Sequence, residues 1–535
     1  MLHLTSPASA LGRPTCVERS RIEPSGHSNR TRSLSEPDAH SGSPSGLNGR
    51  EAEVDLRLPL PARLASHKAS AGSFAQASGI RRDMNLAMRT SIAALALASI
   101  TGTGLAQNAA PVAQTKTTAT RYIHAGMLLD QPGRPARGAS TVIVRGDKII
   151  GIRDGHVAPE GGAELVDLRD KTVLPGLIDM HVHFYSSGYP LQARLEGPTL
   201  DLEDRFAQAA VHARRTLEGG FTTVRDLGGE PRGIRALRDA VARGDLAGPT
   251  IVNAGEMISV TAGHGDANGL RRDYAQAERA GSTATCNGPD DCRRATRDQI
   301  FMGAEVIKFA ASGGVGSNIA GGLEAQMTLD EMKAIVDTAH SFGRKVTAHA
   351  HGKSGIDTAL RAGVDSIEHG SFIDDETVRL FKTRGAYLVP TIHAFESVIR
   401  QGRSGERPAA SAAKAEDVAK VVKQSHRRAF AGGVKVAFGT DSGVGPHATN
   451  ALEFNWMSEL GMAPADVIRT ATVDAAALLG RAERIGRIAE GMDADIIAVD
   501  GDPVTDLKRL QKVDFVMRRG GVLKIGGKRQ VFPQE

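Results

Sequence analysis

Eight short runs of β-branched and other apolar residues recur along this chain, and helix-like stretches separate most of them. Glycine or polar residues bound each run, which is typical of buried strands. Strands and helices that alternate eight times predict an α/β protein with a (β/α)8 barrel, and a doubly wound open sheet is the alternative. The runs lie at 173–180, 221–226, 250–254, 304–309, 345–351, 366–369, 386–391 and 436–441, and the helix-like stretches include 204–218, 290–302, 329–342 and 412–431.

Residue types that bind metals lie at the ends of several of these strands. His181 and His183 end the first run, and residues i and i+2 of a strand face the same side, so both imidazoles can hold one ion. Taken alone, such a pair is also common as two polar strand-end residues. His349, His369 and Asp441 end later runs, and strand ends on one face of a barrel form its active site. The pattern therefore favours a metal site at that face.

Five motifs in this order resemble the amidohydrolase superfamily. They are Pro-Gly-Leu-Ile-Asp-Met-His-Val-His ending at His183, Val-Ile-Lys-Phe around Lys308, Thr-Ala-His-Ala-His-Gly around His349, Ser-Ile-Glu-His-Gly around His369 and Phe-Gly-Thr-Asp-Ser around Asp441. The similarity extends from about residue 120 to the C-terminus. Within the superfamily, the chain resembles the imidazolonepropionase-like group with its Xaa-Pro dipeptidases, and bacterial amidohydrolases that hydrolyse ochratoxin A.

The resemblance implies a site for two divalent metal ions, with zinc as the expected metal. The implied ligands are His181, His183, Lys308, His349, His369 and Asp441. The first two histidines and Asp441 would hold the more buried ion, the other two the more exposed one, and a carboxylated Lys308 would bridge them. A bridging water would lose its proton near neutral pH, and Asp441 would act as general acid and base.

These two assignments have ordinary structural alternatives. Lys308 would otherwise be a solvated lysine at a strand end, although apolar neighbours surround it in the sequence. Asp441 in Thr-Asp-Ser-Gly would serve as a helix N-cap, a role that an aspartate can combine with catalysis.

Two further histidines are candidate catalytic residues. His351 lies two residues beyond His349 and faces the same side, so we predict that it polarises the substrate carbonyl or orients a ligand. His264 lies in a Gly-His-Gly motif similar to one in the dipeptidase relatives, and we predict that it contacts substrate. A buried histidine and a turn histidine are the respective alternatives. Arg225 and Arg271 are weaker candidates for binding a substrate carboxylate.

The two ends of the chain predict a second, smaller unit. Short alternating strands at 107–172 and 485–535 flank the barrel at 173–484, and the resemblance implies one β-sandwich built from both segments. Residues 84–106 have the features of a secretory signal peptide, so we expect a periplasmic or secreted protein. Residues 1–83 would be a leader upstream of the true start at Met84 or Met88, or else a disordered extension.

Charge and cysteine content limit the partners. The net charge of +5 falls to about +1 without residues 1–106. The basic isoelectric point therefore comes mostly from those residues, and we expect no nucleic-acid binding. The apolar run at 92–100 is too short to span a bilayer, so we expect no membrane insertion of the mature form. We expect a homo-oligomer that acts on small amide or peptide substrates. Cys286 and Cys292 form either a disulfide or two free thiols.

The sequence therefore predicts a metal-dependent amidase of carboxypeptidase type. Its substrates would be N-acyl amino acids or dipeptides, and ochratoxin A would yield phenylalanine and ochratoxin alpha. An imidazolone or cyclic-amide hydrolase is one alternative, since it would share every ligand. A non-catalytic structural homologue is another, although such a chain is expected to have lost ligands.

Overall fold

The computed structural model describes residues 119–530 except 268–270, 316–321 and 408. The predicted leader at 1–83 and the predicted signal peptide at 84–106 lie outside the described residues. Within the described part, no helix combines the length and the apolar character needed to cross a membrane.

The strands of the described part are β1 (Thr120–Leu128), β2 (Ser140–Arg145), β3 (Lys148–Asp154), β4 (Glu164–Pro175), β5 (Leu177–Val182), β6 (Phe221–Asp226), β7 (Thr250–Asn253), β8 (Val306–Ala310), β9 (Lys345–Ala350), β10 (Ser366–His369), β11 (Tyr387–Val389), β12 (Lys435–Val436), β13 (Ile496–Asp500), β14 (Val513–Arg518), β15 (Gly521–Ile525) and β16 (Lys528–Arg529).

The helices of the same part are α1 (Pro190–Glu196), α2 (Leu202–Glu218), α3 (Pro231–Arg243), α4 (Arg272–Gly281), α5 (Pro289–Phe301), α6 (Leu329–Ser341), α7 (Lys353–Ala362), α8 (Asp375–Arg384), α9 (Ile392–Arg403), α10 (Ala409–Ala431), α11 (Leu452–Glu459), α12 (Pro464–Arg469) and α13 (Ala475–Leu478). Short 3-10 segments span Gly197–Thr199 and Leu507–Gln511, and a π-helical turn spans Thr470–Asp474.

Strands β5 to β12 form the predicted barrel. They are parallel and hydrogen-bond as two runs, β5-β6-β7 and β8-β9-β10-β11-β12. At one junction the Ile258 amide donates to the Lys308 carbonyl at 2.9 Å. At the other, the Met180 amide donates to Phe438 at 2.9 Å and the His183 amide to Ser442 at 2.7 Å. The barrel is therefore closed, and the open-sheet alternative is wrong.

The apolar runs become strands because the barrel wall is covered on both sides. Every residue of β5, β6 and β8 is buried, as expected for parallel strands with helices outside and side chains inside. Some of the helices around the barrel begin at polar caps. For example, Thr328 and Glu331 form a reciprocal capping box at the start of α6.

The remaining strands form one eight-stranded outer sheet in the order β16-β15-β14-β13-β4-β1-β2-β3. Both ends of the chain contribute, because β13 pairs antiparallel with β4. Ile123 and Phe515 are among the residues of its buried core. The structure assigns these strands to one sheet, so their arrangement as a sandwich stays a prediction.

The barrel begins a few residues later than the predicted boundary. Residues 172–175 still pair with β13, and β4 ends only at Pro175. Gly176 separates β4 from β5, and a Cβ atom there would lie 2.1 Å from the Thr222 hydroxyl oxygen. Only glycine therefore allows the chain to pass from the outer sheet into the barrel at this point.

Cys286 and Cys292 are joined by a disulfide between the loop that connects α4 to α5 and helix α5 itself. The sequence leaves a disulfide and two thiols open, and the structure favours the disulfide.

Candidate active site

One group of metal-binding side chains lies where β5 meets the turn after β12. The Nε2 atoms of His181 and His183 are 3.2 Å apart. Asp441 Oδ1 lies 3.4 Å from Nε2 of His181 and 3.1 Å from Nε2 of His183. The HxH spacing therefore places both rings on one side of the strand, as predicted, and the Thr-Asp-Ser motif brings the carboxylate to them.

The contacts of the Nδ1 atoms of His181 and His183 indicate which ring nitrogen carries the proton. His183 Nδ1 lies 2.8 Å from the Gly228 carbonyl oxygen, and His181 Nδ1 lies 2.8 Å from Glu368 Oε2. The Gly228 carbonyl accepts from His183, so the neutral His183 ring carries its proton on Nδ1 and presents a lone pair at Nε2. For His181 the same tautomer directs the N–H toward the Glu368 carboxylate, a close charge contact whose geometry falls short of a hydrogen bond. Two imidazole lone pairs and a carboxylate oxygen then converge, an arrangement that a cation satisfies.

The electrostatics of the first group depend on Asp441. Burial lowers the pKa of His181 to about 4. Burial also opposes the charged form of His183, but the hydrogen bond and charge of Asp441 raise its pKa above the ordinary value. Burial favours neutral Asp441, yet the two histidines lower its pKa to about 2. The carboxylate is thus anionic at neutral pH and available to a metal ion.

A second group lies at the ends of β9 and β10. Ligand atoms of His349, His351 and His369 lie within 4.8 Å of one another. His349 Nε2 is buried and makes no hydrogen bond within the described part of the chain. Burial, reinforced by neighbouring histidines, holds the pKa values of His349 and His369 well below the ordinary value. Neutral rings and an unsatisfied buried nitrogen suit a metal ion.

His264 joins the second group from the loop after β7. Its ring stacks on that of His349, with 4.1 Å between centroids. Gly314 makes room for it, because a Cβ atom there would lie 2.2 Å from His264 Cε1. Gly314 thus has a packing role beside the site.

His351 is closer to the ligand cluster than its sequence position suggests. The family motifs give it no ligand place, yet the structure groups its ring with those of His349 and His369. Its Nδ1 lies 2.6 Å from the Ser371 hydroxyl, and its ring stacks on that of His369 at 4.8 Å. Its position suits either a ligand or a group that contacts substrate.

Lys308 lies on β8 inside the barrel and is almost fully buried. Burial lowers its pKa to about 8, although the charges of Glu368 and Asp441 partly oppose this. Its charge in turn lowers the pKa values of His181, His349 and His369. The charge of Lys308 therefore acts on both groups.

The backbone is strained at three places in the site. His369, Thr391 and Asp441 have φ angles of 73°, 51° and 58°, which non-glycine residues rarely adopt. The His369 ring is held by a contact of 2.7 Å between Nδ1 and the Thr391 hydroxyl. Such strain concentrates at functional sites.

Sequence reasoning missed two buried carboxylates that support the histidines. Asp179 accepts hydrogen bonds from the amides of His181 and Thr440 and from Asn450, which links β5 to the Asp441 turn. Glu368 lies against His181. The sequence does contain a signal for both, because each is an acidic residue within an apolar run that predicts a buried strand.

The two arginines proposed for a substrate carboxylate are placed elsewhere. Arg225 is fully buried and pairs with Glu368 at 2.7 Å. Arg271 is exposed and pairs with Asp273 at 2.7 Å at the start of α4. The prediction for Arg225 is wrong, because its guanidinium already pairs with Glu368. The contacts of Arg271 do not support the prediction for that residue.

Comparisons with known proteins agree with this geometry. The profile of the Amidohydrolase family matches residues 172–523. Ochratoxinase from Aspergillus niger is 33% identical over 443 residues, which cover 77% of this chain and 88% of that protein. Imidazolonepropionase from Treponema denticola is 25% identical over 430 residues, covering 73% and 93%.

Solved structures show the same relationship. A Xaa-Pro dipeptidase with methionine bound in its active site is 38% identical, with a TM-score of 0.71, covering 76% of this chain and all of that one. The structure of A. niger ochratoxinase is 30% identical, with a TM-score of 0.68, covering 76% and 96%. This chain belongs to the amidohydrolase family. It is a hydrolase that acts on amide bonds.

Proposed function

We propose that this enzyme uses two divalent metal ions to release a C-terminal amino acid from an acyl group. The observation that carries the proposal is that the two metal-ligand groups adjoin, with the ring centroids of His181 and His369 5.2 Å apart, and that Lys308 is buried in the same barrel. His181, His183 and Asp441 would hold one ion, and His349 and His369 the other. Lys308, as a carbamate, would bridge them. Zinc suits this set of nitrogen and oxygen ligands.

The chain's own groups would perform the proton and positioning steps. Bound metal ions would supply a hydroxide near neutral pH and polarise the scissile carbonyl. Asp441, an anion beside His181 and His183, would take a proton and deliver it to the leaving nitrogen. His351 and His264, whose rings contact those of the second group, would orient the carbonyl and the amino-acid moiety.

An apolar cluster beside His351 supports a hydrophobic amino acid in the substrate. Phe395 forms an edge contact with the His351 ring at 5.8 Å. It belongs to a buried apolar cluster built from the segment after β8 and from helices α9 and α10, against which Leu323, Phe372 and Val444 pack half-buried. Such a wall stabilises an aromatic or aliphatic side chain. We therefore propose a preference for residues such as phenylalanine.

The relatives support a specific substrate. Ochratoxinase is similar over most of the chain, and the dipeptidase relative holds methionine, an apolar amino acid, in its active site. We propose that this enzyme hydrolyses ochratoxin A and frees phenylalanine.

The test compares N-acyl-phenylalanine with its carboxyl-amidated analogue. Loss of the charge-assisted contacts to the free carboxylate should lower kcat/KM at least ~10-fold. Equal rates on both compounds would contradict carboxylate recognition. Faster turnover of an imidazolone than of either compound would favour a cyclic-amide hydrolase.

We also propose that the mature protein is periplasmic or secreted and begins near Gln107. The Cys286–Cys292 disulfide supports an oxidising compartment. N-terminal sequencing of exported protein should find this start, and exported protein that begins at Met1 would contradict it.

A further inference from the structure

The groups behind the site histidines are not equivalent. Neutral oxygen atoms face Nδ1 of three of these histidines: the Gly228 carbonyl lies beside His183, the Ser371 hydroxyl beside His351 and the Thr391 hydroxyl beside His369. A carboxylate oxygen faces Nδ1 of His181, because Glu368 Oε2 lies 2.8 Å from it.

Glu368 is held in place by buried partners. Arg225 Nη2 donates to Glu368 Oε1 at 2.7 Å, and the Thr347 hydroxyl donates to the same oxygen at 2.5 Å. Both members of the ion pair are buried. The Arg225 guanidinium at 2.7 Å supplies the countercharge for a Glu368 carboxylate.

Arg225 also connects Glu368 to the backbone that carries His181. Its Nε donates to the Met180 carbonyl at 2.7 Å, and its Nη1 to the Ser366 hydroxyl at 3.1 Å. Strand β6 thus contacts both β5 and β10 through one side chain across the barrel interior. This arrangement fixes the Glu368 carboxylate relative to the His181 ring.

Folding stability alone does not explain why the Arg225–Glu368 ion pair is buried. A buried ion pair is often no more stabilising than apolar residues of the same volume. A carboxylate behind an imidazole orients the ring and makes its far nitrogen a stronger metal donor, and loss of such a partner lowers metal affinity ~10- to 100-fold. The hydroxyls behind His351 and His369 bring no negative charge to the second group.

We propose that Arg225 and Glu368 are positioning residues that act on His181 and make the His181–His183–Asp441 group fill with metal before the His349–His369 group. This inference rests on the proposed two-metal function. It assigns unequal affinities to the two positions and names the pair responsible.

The test is a titration of metal-free enzyme with Co²⁺, followed by its absorption spectrum and by chelator competition. Wild type should bind in two resolved steps. Glu368→Gln keeps the side-chain shape but removes the charge, and should weaken the first step at least ~10-fold, with less than ~2-fold change in the second. Thr391→Val is the matched control behind His369, and should weaken only the second step.

Arg225→Lys covers the case in which Glu368→Gln does not fold, as judged by circular dichroism. Lysine keeps a cation but cannot make the three contacts of Arg225, so the first step should again weaken selectively. Equal effects of the Glu368 or Arg225 variant on both steps, or no effect, would overturn the inference. If wild type binds no Co²⁺, the two-metal function itself fails, which is a different result.

Discussion

The barrel and the outer sheet both have eight strands, but their charged side chains differ in burial. In the barrel, Lys308, Arg225 and Glu368 are buried inside the wall. In the outer sheet, Lys171 of β4 contacts Asp500 of β13 at 2.5 Å, and the Asp500 side chain is exposed. The core of that sheet consists of apolar side chains.

The difference separates residues that serve chemistry from residues that serve folding. A buried charge costs several kcal/mol unless it is paired, so a fold has little reason to collect such groups. Groups with strongly shifted pKa values that converge at one barrel end are typical of active sites. Changes in the barrel interior should therefore alter activity, and changes in the outer sheet should alter stability.

Lys308→Ala should have the largest effect. It removes the proposed bridge between the metal ions, and we expect kcat/KM to fall at least ~10³-fold with loss of bound metal. Steady-state kinetics and metal analysis measure both. Lys345→Ala is the matched control, because Lys345 is exposed at the start of β9 and pairs with Asp365. Survival of both metal content and turnover would make the bridging role wrong.

Phe515→Ala tests the prediction that changes in the outer sheet alter stability and not activity. Phe515 is fully buried in the outer-sheet core, so its truncation should cost ~3–5 kcal/mol of stability. Chemical denaturation measures this loss. Under native conditions kcat should match wild type, since the substitution is remote from the proposed ligands. A large fall in kcat of the folded variant would contradict the separation.

The ligand positions can be predicted because they follow local rules. The HxH spacing on a strand, together with strand ends that carry His, Lys and Asp, is enough to place these groups at one face of a barrel. Helices with caps and periodic apolar faces can be predicted nearly to their ends, as for α6.

The supporting groups cannot be predicted in this way because they depend on contacts across the barrel. Arg225 and Glu368 are 143 positions apart, and nothing near either residue shows that they pair. The sequence alone therefore leaves Arg225 as a candidate substrate contact. The crowding of His351 against His369 likewise depends on how far neighbouring strands are staggered, which local patterns do not determine.

His351→Ala should have an intermediate effect. If His351 contacts substrate, the variant keeps its metal while kcat falls ~10²-fold, as for loss of one group that stabilises the transition state. Metal analysis and kinetics on one preparation decide the matter. His340→Ala, on the exposed side of α6, is the control. Loss of metal would instead make His351 a ligand or a support for one.

Arg271→Ala should have the smallest effect. Its guanidinium is exposed and pairs with Asp273 on the same turn, and fully exposed ion pairs contribute little because solvent screens them. We expect kcat/KM for N-acyl-phenylalanine to change less than ~2-fold. A fall of tenfold or more would restore Arg271 as a carboxylate contact.

Metal analysis of purified, dialysed wild-type enzyme tests the central claim most directly. The geometry of the two ligand groups predicts about two divalent ions per chain, and removal by a chelator should abolish hydrolysis until zinc is restored. Full activity with less than ~0.1 divalent ion per chain would contradict the metal-dependent account.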